Sequence, residues 1–221
     1  MTAKAVLFDF GGTLDSDGLP WKDRFAAAWR EEVGDVPPAR FDPAFYAADD
    51  ALVGTVPRDL SLEETVGRLA GNLARELGAD PGAASRAGAR FLRDAAPRLE
   101  ASARHLRTLS ERYRLGIVSN FYGNLEAVCA GAGLAPHLSV VVDSAVAGFE
   151  KPDPRIFRAA LDALGASPGD AVFVGDSMPR DMEGARRLGM AHVWLAPGRD
   201  RACCPDDAVI ERLERLPEVI R

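Results

Sequence analysis

Cysteine is scarce in this chain of 221 residues, and its three cysteines do not make a disulfide pattern. Cys203 and Cys204 are adjacent and Cys129 stands alone, which argues against a disulfide framework and for a reducing compartment. Long apolar runs are also lacking. The run after the N-terminal MTAK has about five residues, too few for a signal peptide or a membrane span. We therefore expect a cytoplasmic protein with no membrane partner.

Basic charge is in deficit, because 27 Lys and Arg stand against 33 Asp and Glu, for a net charge of -6. This balance lacks the basic surface that nucleic-acid binding requires, so we expect no nucleic-acid partner. Hydrophobic residues make up 47% of the chain, which is enough for a substantial core. The expected partner is a small molecule or another protein, and the sequence leaves a homodimer open.

Short runs rich in β-branched and aromatic residues predict five buried strands, at 6–10, 115–119, 138–144, 171–175 and 192–196. From the second run onward they alternate with helical segments, at 99–112, 123–132, 154–164 and 179–188. Nearly continuous apolar strands that alternate with helices are typical of a parallel sheet covered on both faces. The predicted fold class is therefore α/β, with a Rossmann-like core.

Roughly a hundred residues separate the first two predicted strands, which is far more than a crossover loop needs. This stretch contains no isoleucine up to Pro97, is rich in alanine, and places apolar residues at helical spacing. Ser61 and Glu64 form a capping box at the start of one such helix. We predict an inserted all-helical cap whose aromatic residues form its own core. Trp21, at the hinge between cap and core, is the aromatic residue with the best case for contacting the substrate instead. The predicted boundaries are 17–97 for the cap, 1–16 and 98–221 for the core, and linkers near 15–20 and 95–99.

Polar side chains follow three of the predicted strands at the point where each strand ends. Asp9 closes the first run, Ser119 and Asn120 close the second, and Asp176 follows the fourth. In an open parallel sheet, ligands bind outside the carboxyl ends of the strands. We therefore expect these side chains to share one edge of the sheet.

Two more charged residues are expected at the same edge. Asp181 lies five residues beyond Asp176, and Lys151 lies in the loop after the third run. Three carboxylates in one cleft repel one another unless a cation holds them, and such oxygen ligands suit Mg2+. With a lysine and a hydroxyl added, the cleft suits a phosphoryl group. A carboxylate at a strand end can act as the nucleophile and form an aspartyl-phosphate that water hydrolyses.

Four segments resemble, in order, the four motifs of the haloacid dehalogenase-like hydrolase superfamily. They are DFGGTL at 9–14, VSN at 118–120, EKPDP at 150–154 and VGDSMPRDMEGARRLGM at 174–190. Each motif alone is a weak pattern, but four in order at strand ends are specific. The resemblance covers the whole core, and the insertion lies where this superfamily carries its helical C1 cap. It implies a hydrolase of the phosphatase type.

The resemblance implies a role for each matching residue. Asp9 is the implied nucleophile, and Ser119 and Lys151 are implied to hold the phosphoryl oxygens. Thr13 is implied to support the orientation of the nucleophile, and Thr13 and Asn120 are also expected substrate contacts. The implied Mg2+ ligands are Asp9, the Gly11 carbonyl, Asp176 and Asp181.

Gly11 departs from the family pattern, because phosphatases of this superfamily usually carry a second Asp there that protonates the leaving group. General acid–base help is worth about a hundredfold to ten-thousandfold in rate. Three explanations are open: Asp15 or Asp17 replaces the acid, the leaving group needs little protonation, or the protein is catalytically silent. Gly11 and Gly12 are both expected to let the backbone turn tightly after Asp9.

The leading prediction is Mg2+-dependent hydrolysis of a small phosphorylated metabolite, with the helical cap closing over the cleft. A 2-haloacid dehalogenase is the first alternative, since halide leaves without a proton and Gly11 is then no handicap. That route needs no metal, however, and the acidic pair with Lys151 fits a metal-phosphate site better. A catalytically silent binding protein with the same fold is the second alternative.

Overall fold

A parallel sheet of six strands forms the centre of the computed structural model, which describes residues 3–198 and 208–220. The spatial order is β3-β2-β1-β4-β5-β6, and every neighbouring pair is parallel. The strands are β1 Ala5–Phe8, β2 Arg114–Ser119, β3 Val140–Asp143, β4 Ala171–Gly175, β5 Ala191–Leu195 and β6 Ala208–Ile210. The α/β prediction is confirmed. The sequence did not predict β6, whose three residues are too short a run to stand out.

Helices cover both faces of the sheet and form the insertion. They are α1 Trp21–Glu32, α2 Pro38–Asp50, α3 Leu62–Leu77, α4 Pro81–Ser110, α5 Leu125–Gly131, α6 Ser144–Ala147, α7 Pro154–Leu164, α8 Glu183–Arg187 and α9 Leu216–Val219. Within the described part of the chain, no helix has both the length and the apolar character needed to cross a bilayer. The adjacent Cys203 and Cys204 lie outside the described residues.

The central strand β1 is buried on both sides. Val6 and Phe8 belong to one apolar cluster, which continues through α4 and α5 into the inserted helices. Ala5 and Leu7 point the other way and belong to a second cluster with α7 and α8. Alternate residues of a strand face opposite sides, so a strand covered on both faces must be apolar throughout. This burial explains the continuous apolar run in the sequence.

The inserted helices begin and end as their sequence signals predict. The Ser61 side chain accepts a hydrogen bond from the Glu64 backbone N–H, and the Glu64 carboxylate accepts one from the Ser61 backbone N–H, so the predicted capping box is present. Gly78 ends α3 with a left-handed φ of 63°. Asp80 caps α4 by accepting a hydrogen bond from the Ala83 N–H.

The linker predicted near 95–99 is wrong, because α4 runs without a break from Pro81 to Ser110. The predicted helix at 99–112 is the second half of this long helix. Ala95 and Leu99 are both buried, so the apolar stripe continues past Pro97, which lies inside the helix. One helix therefore belongs to both the insertion and the core. The boundaries at 16/17 and 97/98 stay predictions.

The strand order fixes where a ligand site lies. β1 is flanked by β2 on one side and β4 on the other, so the direction of the chain's winding reverses next to β1. In sheets of this kind a crevice opens at the carboxyl ends of the strands at such a reversal. The segments that follow β1, β2 and β4 therefore meet at one crevice.

Candidate active site

Asp9 lies just beyond β1 and is held by two donors from other segments. The Ser119 hydroxyl, at the end of β2, donates to Asp9 Oδ1 at 2.7 Å. The Lys151 ammonium forms an ion pair with the same oxygen at 2.7 Å. Among the described residues no hydrogen bond reaches Asp9 Oδ2, and Asp9 lines a cavity that we call the active-site cavity. One oxygen is therefore anchored while the other is available to a ligand.

Lys151 is 3% exposed and connects two carboxylates. Its Nζ lies 2.7 Å from Asp9 Oδ1 and 2.7 Å from Asp181 Oδ1. Asp181 is fully buried, and its other oxygen accepts a hydrogen bond from the Ser177 backbone N–H at 2.9 Å. The π-helical turn at Met178–Met182 brings Asp181 back under the end of β4. The predicted convergence of Asp9, Lys151 and Asp181 is thus observed.

Asp176 follows β4 and completes an acidic cluster. One oxygen from each of Asp9, Asp176 and Asp181 lies within 4.8 Å of the others. The Thr13 hydroxyl donates to Asp176 Oδ1 at 3.2 Å. Three carboxylates facing one lysine leave an excess of negative charge in a partly buried crevice. Hard divalent cations take ligands of this kind, so the donor set fits Mg2+.

The titration behaviour of the cluster reflects the same excess charge. Burial raises the pKa of Asp176, and the charges of Asp9 and Asp181 raise it further. Burial also raises the pKa of Asp181, although Lys151 opposes that effect. For Lys151, burial acts to lower the pKa, but Asp181 and Asp9 outweigh it and the pKa is raised. A divalent cation would offset the cost of keeping these carboxylates ionised.

Two glycines leave room for the acidic cluster. A Cβ at Gly12 would lie 2.5 Å from Asp176 Oδ2, and Gly12 has a φ of 92°, in the left-handed region that favours glycine. A Cβ at Gly175 would lie 2.3 Å from Asp181 Oδ2. Any side chain at either position would displace a carboxylate of the cluster. The tight turn expected after Asp9 therefore depends on Gly12.

Gly11 is a glycine for a different reason from its neighbour. Its φ is not in the left-handed region, so the backbone itself accepts a side chain there. A Cβ would lie 3.1 Å from Nε1 and 3.3 Å from Cδ1 of Trp21, which is tighter than ordinary van der Waals contact. Trp21 is 9% exposed and packs against Phe91 and Phe121. The indole of α1 thus occupies the space beside Gly11.

Asp15 and Asp17 do not reach the cavity. Asp15 is fully buried, with Oδ1 accepting from the Gly12 N–H at 2.7 Å and Oδ2 accepting from Trp21 Nε1 at 2.7 Å. Arg24 also donates to Asp15 Oδ2, at 2.6 Å. Asp17 pairs with Arg98 at a separate small cavity. Neither carboxylate lines the active-site cavity, so the structure gives no support to either as the acid missing at Gly11.

Thr13 and Asn120, the two expected substrate contacts, both bond to other protein groups in the structure. Thr13 is fully buried, does not line the cavity, and contacts Asp176 rather than a ligand space. Asn120 does line the cavity, but its side-chain amide is used on the backbone of Lys151. Its Oδ1 accepts from the Lys151 N–H at 2.7 Å, and its Nδ2 donates to the Lys151 carbonyl at 3.2 Å. Asn120 therefore positions Lys151.

Gly11→Asp is expected to lower the free energy of unfolding of the wild-type protein, and to lower it much less once Trp21 is replaced by Ala. The new Cβ would push the indole away from Asp15, and overpacking of this kind costs about 1–3 kcal/mol. The measurement is the free energy of unfolding of Gly11→Asp in the wild-type and Trp21→Ala backgrounds. Gly11→Ala, which adds the Cβ without a charge, is the matched control. An equal cost in both backgrounds would contradict the steric explanation.

A cavity of about 420 Å3 extends from the acidic cluster to the inserted helices. Apart from Trp21, the side chains of its far wall were not singled out by the sequence pattern, because they come from separate segments and share no motif. The Tyr122 hydroxyl donates to Asp49 Oδ1, which links the segment after β2 to α2. The lining residues beyond the acidic cluster include Trp21, Phe45, Tyr46, Asp49, Phe121, Tyr122 and Arg180.

Comparison with known proteins identifies the family. The family model for haloacid dehalogenase-like hydrolases matches residues 3–189, which is most of the chain. The chain therefore belongs to the haloacid dehalogenase-like hydrolase family, as its four motifs predict.

Individual relatives match over shorter stretches. A phosphoserine phosphatase of Thermus thermophilus is 48% identical over 77 residues, covering 35% of this chain and 29% of the relative. A glyceraldehyde 3-phosphate phosphatase of Methanopyrus kandleri is 41% identical over 87 residues, covering 37% of each. The chain thus matches about a third of the length of these relatives. The crystal structure of a dehalogenase with an intermediate complex has a TM-score of 0.68 at 20% identity, covering 99% of this chain and 97% of that one, which supports the fold.

Proposed function

We propose that this protein hydrolyses small phosphate monoesters with the help of Mg2+, through an aspartyl-phosphate on Asp9. The observation that carries the proposal is the crevice in which the oxygens of Asp9, Asp176 and Asp181 lie within 4.8 Å of one another beside the buried Lys151. Relatives named as phosphatases, matched over about a third of their length, support the same chemistry. The low cysteine content supports the cytoplasm as the compartment.

Asp9, Asp176 and Asp181 are the residues whose side chains would hold Mg2+, with the Gly11 carbonyl as a further proposed ligand. When bound, the cation would neutralise charge on the phosphoryl oxygens. The fit rests on the excess of carboxylates over cationic side chains in the crevice and on the raised pKa values of Asp176 and Asp181.

The proposed reaction has two displacements at phosphorus. Asp9 Oδ2 attacks the phosphorus, and the bond to the leaving oxygen breaks, so the leaving group departs with the electron pair. Water then attacks the phosphorus of the aspartyl-phosphate and returns Asp9 as a carboxylate. The Ser119 hydroxyl and the Lys151 ammonium fix Asp9 and provide donors for the phosphoryl oxygens. Both donors are buried, so little reorganisation accompanies the reaction.

The identity of residue 11 restricts the leaving group. Neither Gly11 nor the buried Asp15 supplies a proton to the cavity, so a leaving group of low pKa is favoured. The same observation favours a second candidate function, 2-haloacid dehalogenation, because a halide leaves without protonation. The packing of Trp21 against Gly11 is consistent with either reaction. The acidic cluster favours the phosphatase, since a dehalogenase has no use for a cation site.

A direct assay separates these candidates. Phosphate release from 4-nitrophenyl phosphate and a panel of alkyl phosphates is measured with Mg2+ and with EDTA, and halide release from 2-chloropropionate is measured in parallel. We expect phosphate release that requires Mg2+ and is faster for the aryl ester than for alkyl esters. Metal-independent halide release without phosphate release would establish the dehalogenase instead. Inactivity on every compound would favour a silent binding protein.

Binding of Mg2+ is expected to stabilise the protein independently of turnover. At about a hundred times its Kd, a ligand adds about 2.7 kcal/mol, or about 5–10 °C in Tm for a chain of this size. Raised pKa values for Asp176 and Asp181 mean that the metal-free protein loses stability as these groups ionise with rising pH. The Tm increase with Mg2+ is therefore expected to grow from about pH 5 to about pH 8.

The matched control for this measurement is Asp170→Asn, which removes a carboxylate that pairs with the exposed Lys4. Asp176→Asn is expected to abolish most of the Tm increase, and Asp170→Asn to preserve it. A Tm that Mg2+ leaves unchanged at every pH, or an equal loss in both variants, would count against the metal site.

A further inference from the structure

The cavity carries one carboxylate on its far wall that the proposed hydrolysis does not use. Asp49, near the end of α2, is the single acidic side chain that lines the cavity besides Asp9 and Asp176, among residues 3–198 and 208–220. Aromatic side chains surround this part of the cavity. Phe45 and Tyr46 come from the same helix, and Tyr122 comes from the segment after β2.

Asp49 is half-buried and incompletely paired. Its Oδ1 accepts a hydrogen bond from the Tyr122 hydroxyl at 2.5 Å, and no other side-chain hydrogen bond reaches it in the described part of the chain. Burial raises the pKa of Asp49 and the charge of Asp50 adds to the rise, while the Tyr122 hydrogen bond and the charge of Arg180 oppose it. Asp49 Oδ2 is therefore a partly dehydrated acceptor without a donor.

Neither Lys22 nor Arg180, two cationic residues that line the cavity, forms an ion pair with Asp49 in the described part of the chain. Lys22 pairs with Asp23 at 3.2 Å and with Asp42 at 3.0 Å. Arg180 is exposed, and no ion pair within 4.0 Å joins it to Asp49 among the described residues. A cavity-lining carboxylate that no cationic side chain contacts in the described part of the chain is a favourable site for a ligand cation, because its negative charge attracts one.

We propose that Asp49 selects phosphate monoesters whose organic part carries an ammonium group. This inference rests on the proposed function, because it places the phosphoryl group at Asp9 and the ammonium at the opposite wall of the same cavity. The ammonium donates to Asp49 Oδ2 while the Tyr122 hydroxyl keeps Oδ1 in place. A neutral hydroxyl on the substrate would satisfy the acceptor but would not compensate the charge.

Non-hydrolysable phosphonates test this selection without turnover. Calorimetry in Mg2+ compares 2-aminoethylphosphonic acid with its isostere propylphosphonic acid and with 2-hydroxyethylphosphonic acid. Hydrogen bonds between charged groups are worth about tenfold to a hundredfold in affinity. We expect the aminoethyl compound to bind the wild type at least about tenfold more tightly than the propyl compound, with the hydroxyethyl compound between them.

Asp49→Asn and Asp50→Asn form a matched pair, because Asp50 is the exposed neighbour and does not line the cavity. Asp49→Asn is expected to reduce the preference for the aminoethyl compound to less than about threefold while propylphosphonate binds as before. Asp50→Asn is expected to keep the preference, which excludes a general effect of net charge.

The outcomes separate the two proposals. Equal affinity for all three phosphonates in the wild type, tightest binding of the hydroxyethyl compound, or a preference that survives in Asp49→Asn would overturn the ammonium site and leave the phosphate site intact. Failure of all three compounds to bind would overturn the phosphate site together with the inference built on it.

Discussion

Asp9→Asn is expected to lower the turnover of 4-nitrophenyl phosphate by about a thousandfold or more, because the proposed nucleophile is removed. The asparagine has nearly the same shape, and its Oδ1 still accepts hydrogen bonds from Ser119 and Lys151. The fold is therefore expected to persist. Stability without a divalent cation is expected to stay equal or to rise, since one of three mutually repelling carboxylates becomes neutral. Steady-state rates and thermal unfolding curves of the purified variant measure both effects.

Two controls make the Asp9 result specific. Asp170→Asn removes a carboxylate at the amino end of β4, next to Lys4 and away from the crevice, and is expected to keep wild-type rates. Rapid quenching of the wild type with phosphate-labelled substrate should leave label on the protein, and Asp9→Asn should leave none. Turnover within tenfold of the wild type in Asp9→Asn would assign the nucleophile elsewhere.

Much of the core and its crevice follows from local sequence signals. Continuous apolar runs predict strands buried on both faces, and a polar residue after such a run marks the edge where the strands end. Asp9, Ser119 and Asp176 each follow such a run, and in the structure Ser119 and Lys151 both contact Asp9. The predictions succeed here because each depends on neighbours in sequence and on one general property of parallel sheets.

The unpredicted features depend on contacts between distant segments. Trp21 fills the space beside Gly11, although it lies ten residues later and on another element. No local pattern in the sequence indicates this contact. Asp49 and Tyr122 are 73 residues apart, and their hydrogen bond depends on how the inserted helices pack over the sheet. The linker expected at 95–99 fails for a related reason: Pro97 suggests a break, but burial of Ala95 and Leu99 keeps the helix continuous.

The packing beside Gly11 bears on both the fold and the proposed reaction. The indole of Trp21 donates to Asp15, and Asp15 also pairs with Arg24, so three residues fix the entrance to the inserted helices. Arg24 in turn lies over the ring of Phe91 at 4.1 Å. A side chain at residue 11 would disturb this network. The packing of this cavity wall therefore opposes a side chain at residue 11, and under the proposed function that restricts the choice of leaving group.

Lys151→Met is expected to lower both activity and stability. Its Nζ contacts Asp9 and Asp181 at 2.7 Å each, so its loss leaves two buried carboxylates without their cation. Removal of one partner from a buried ion pair costs about 3–5 kcal/mol. Loss of the proposed donor to the phosphoryl oxygens is expected to reduce kcat/KM by about a hundredfold to a thousandfold. Denaturant unfolding in EDTA and steady-state kinetics in Mg2+ measure the two effects.

A second substitution distinguishes the two roles of Lys151. In Lys151→Met/Asp181→Asn one uncompensated carboxylate is gone, so stability in EDTA is expected to recover by about 1–3 kcal/mol while activity stays low. Lys4→Met, which breaks the exposed pair with Asp170, is the matched control and is expected to cost less than about 1 kcal/mol. If Lys151→Met unfolds in EDTA at the same denaturant concentration as the wild type, the lysine does not balance the acidic cluster. Its role would then be confined to the bound phosphoryl group.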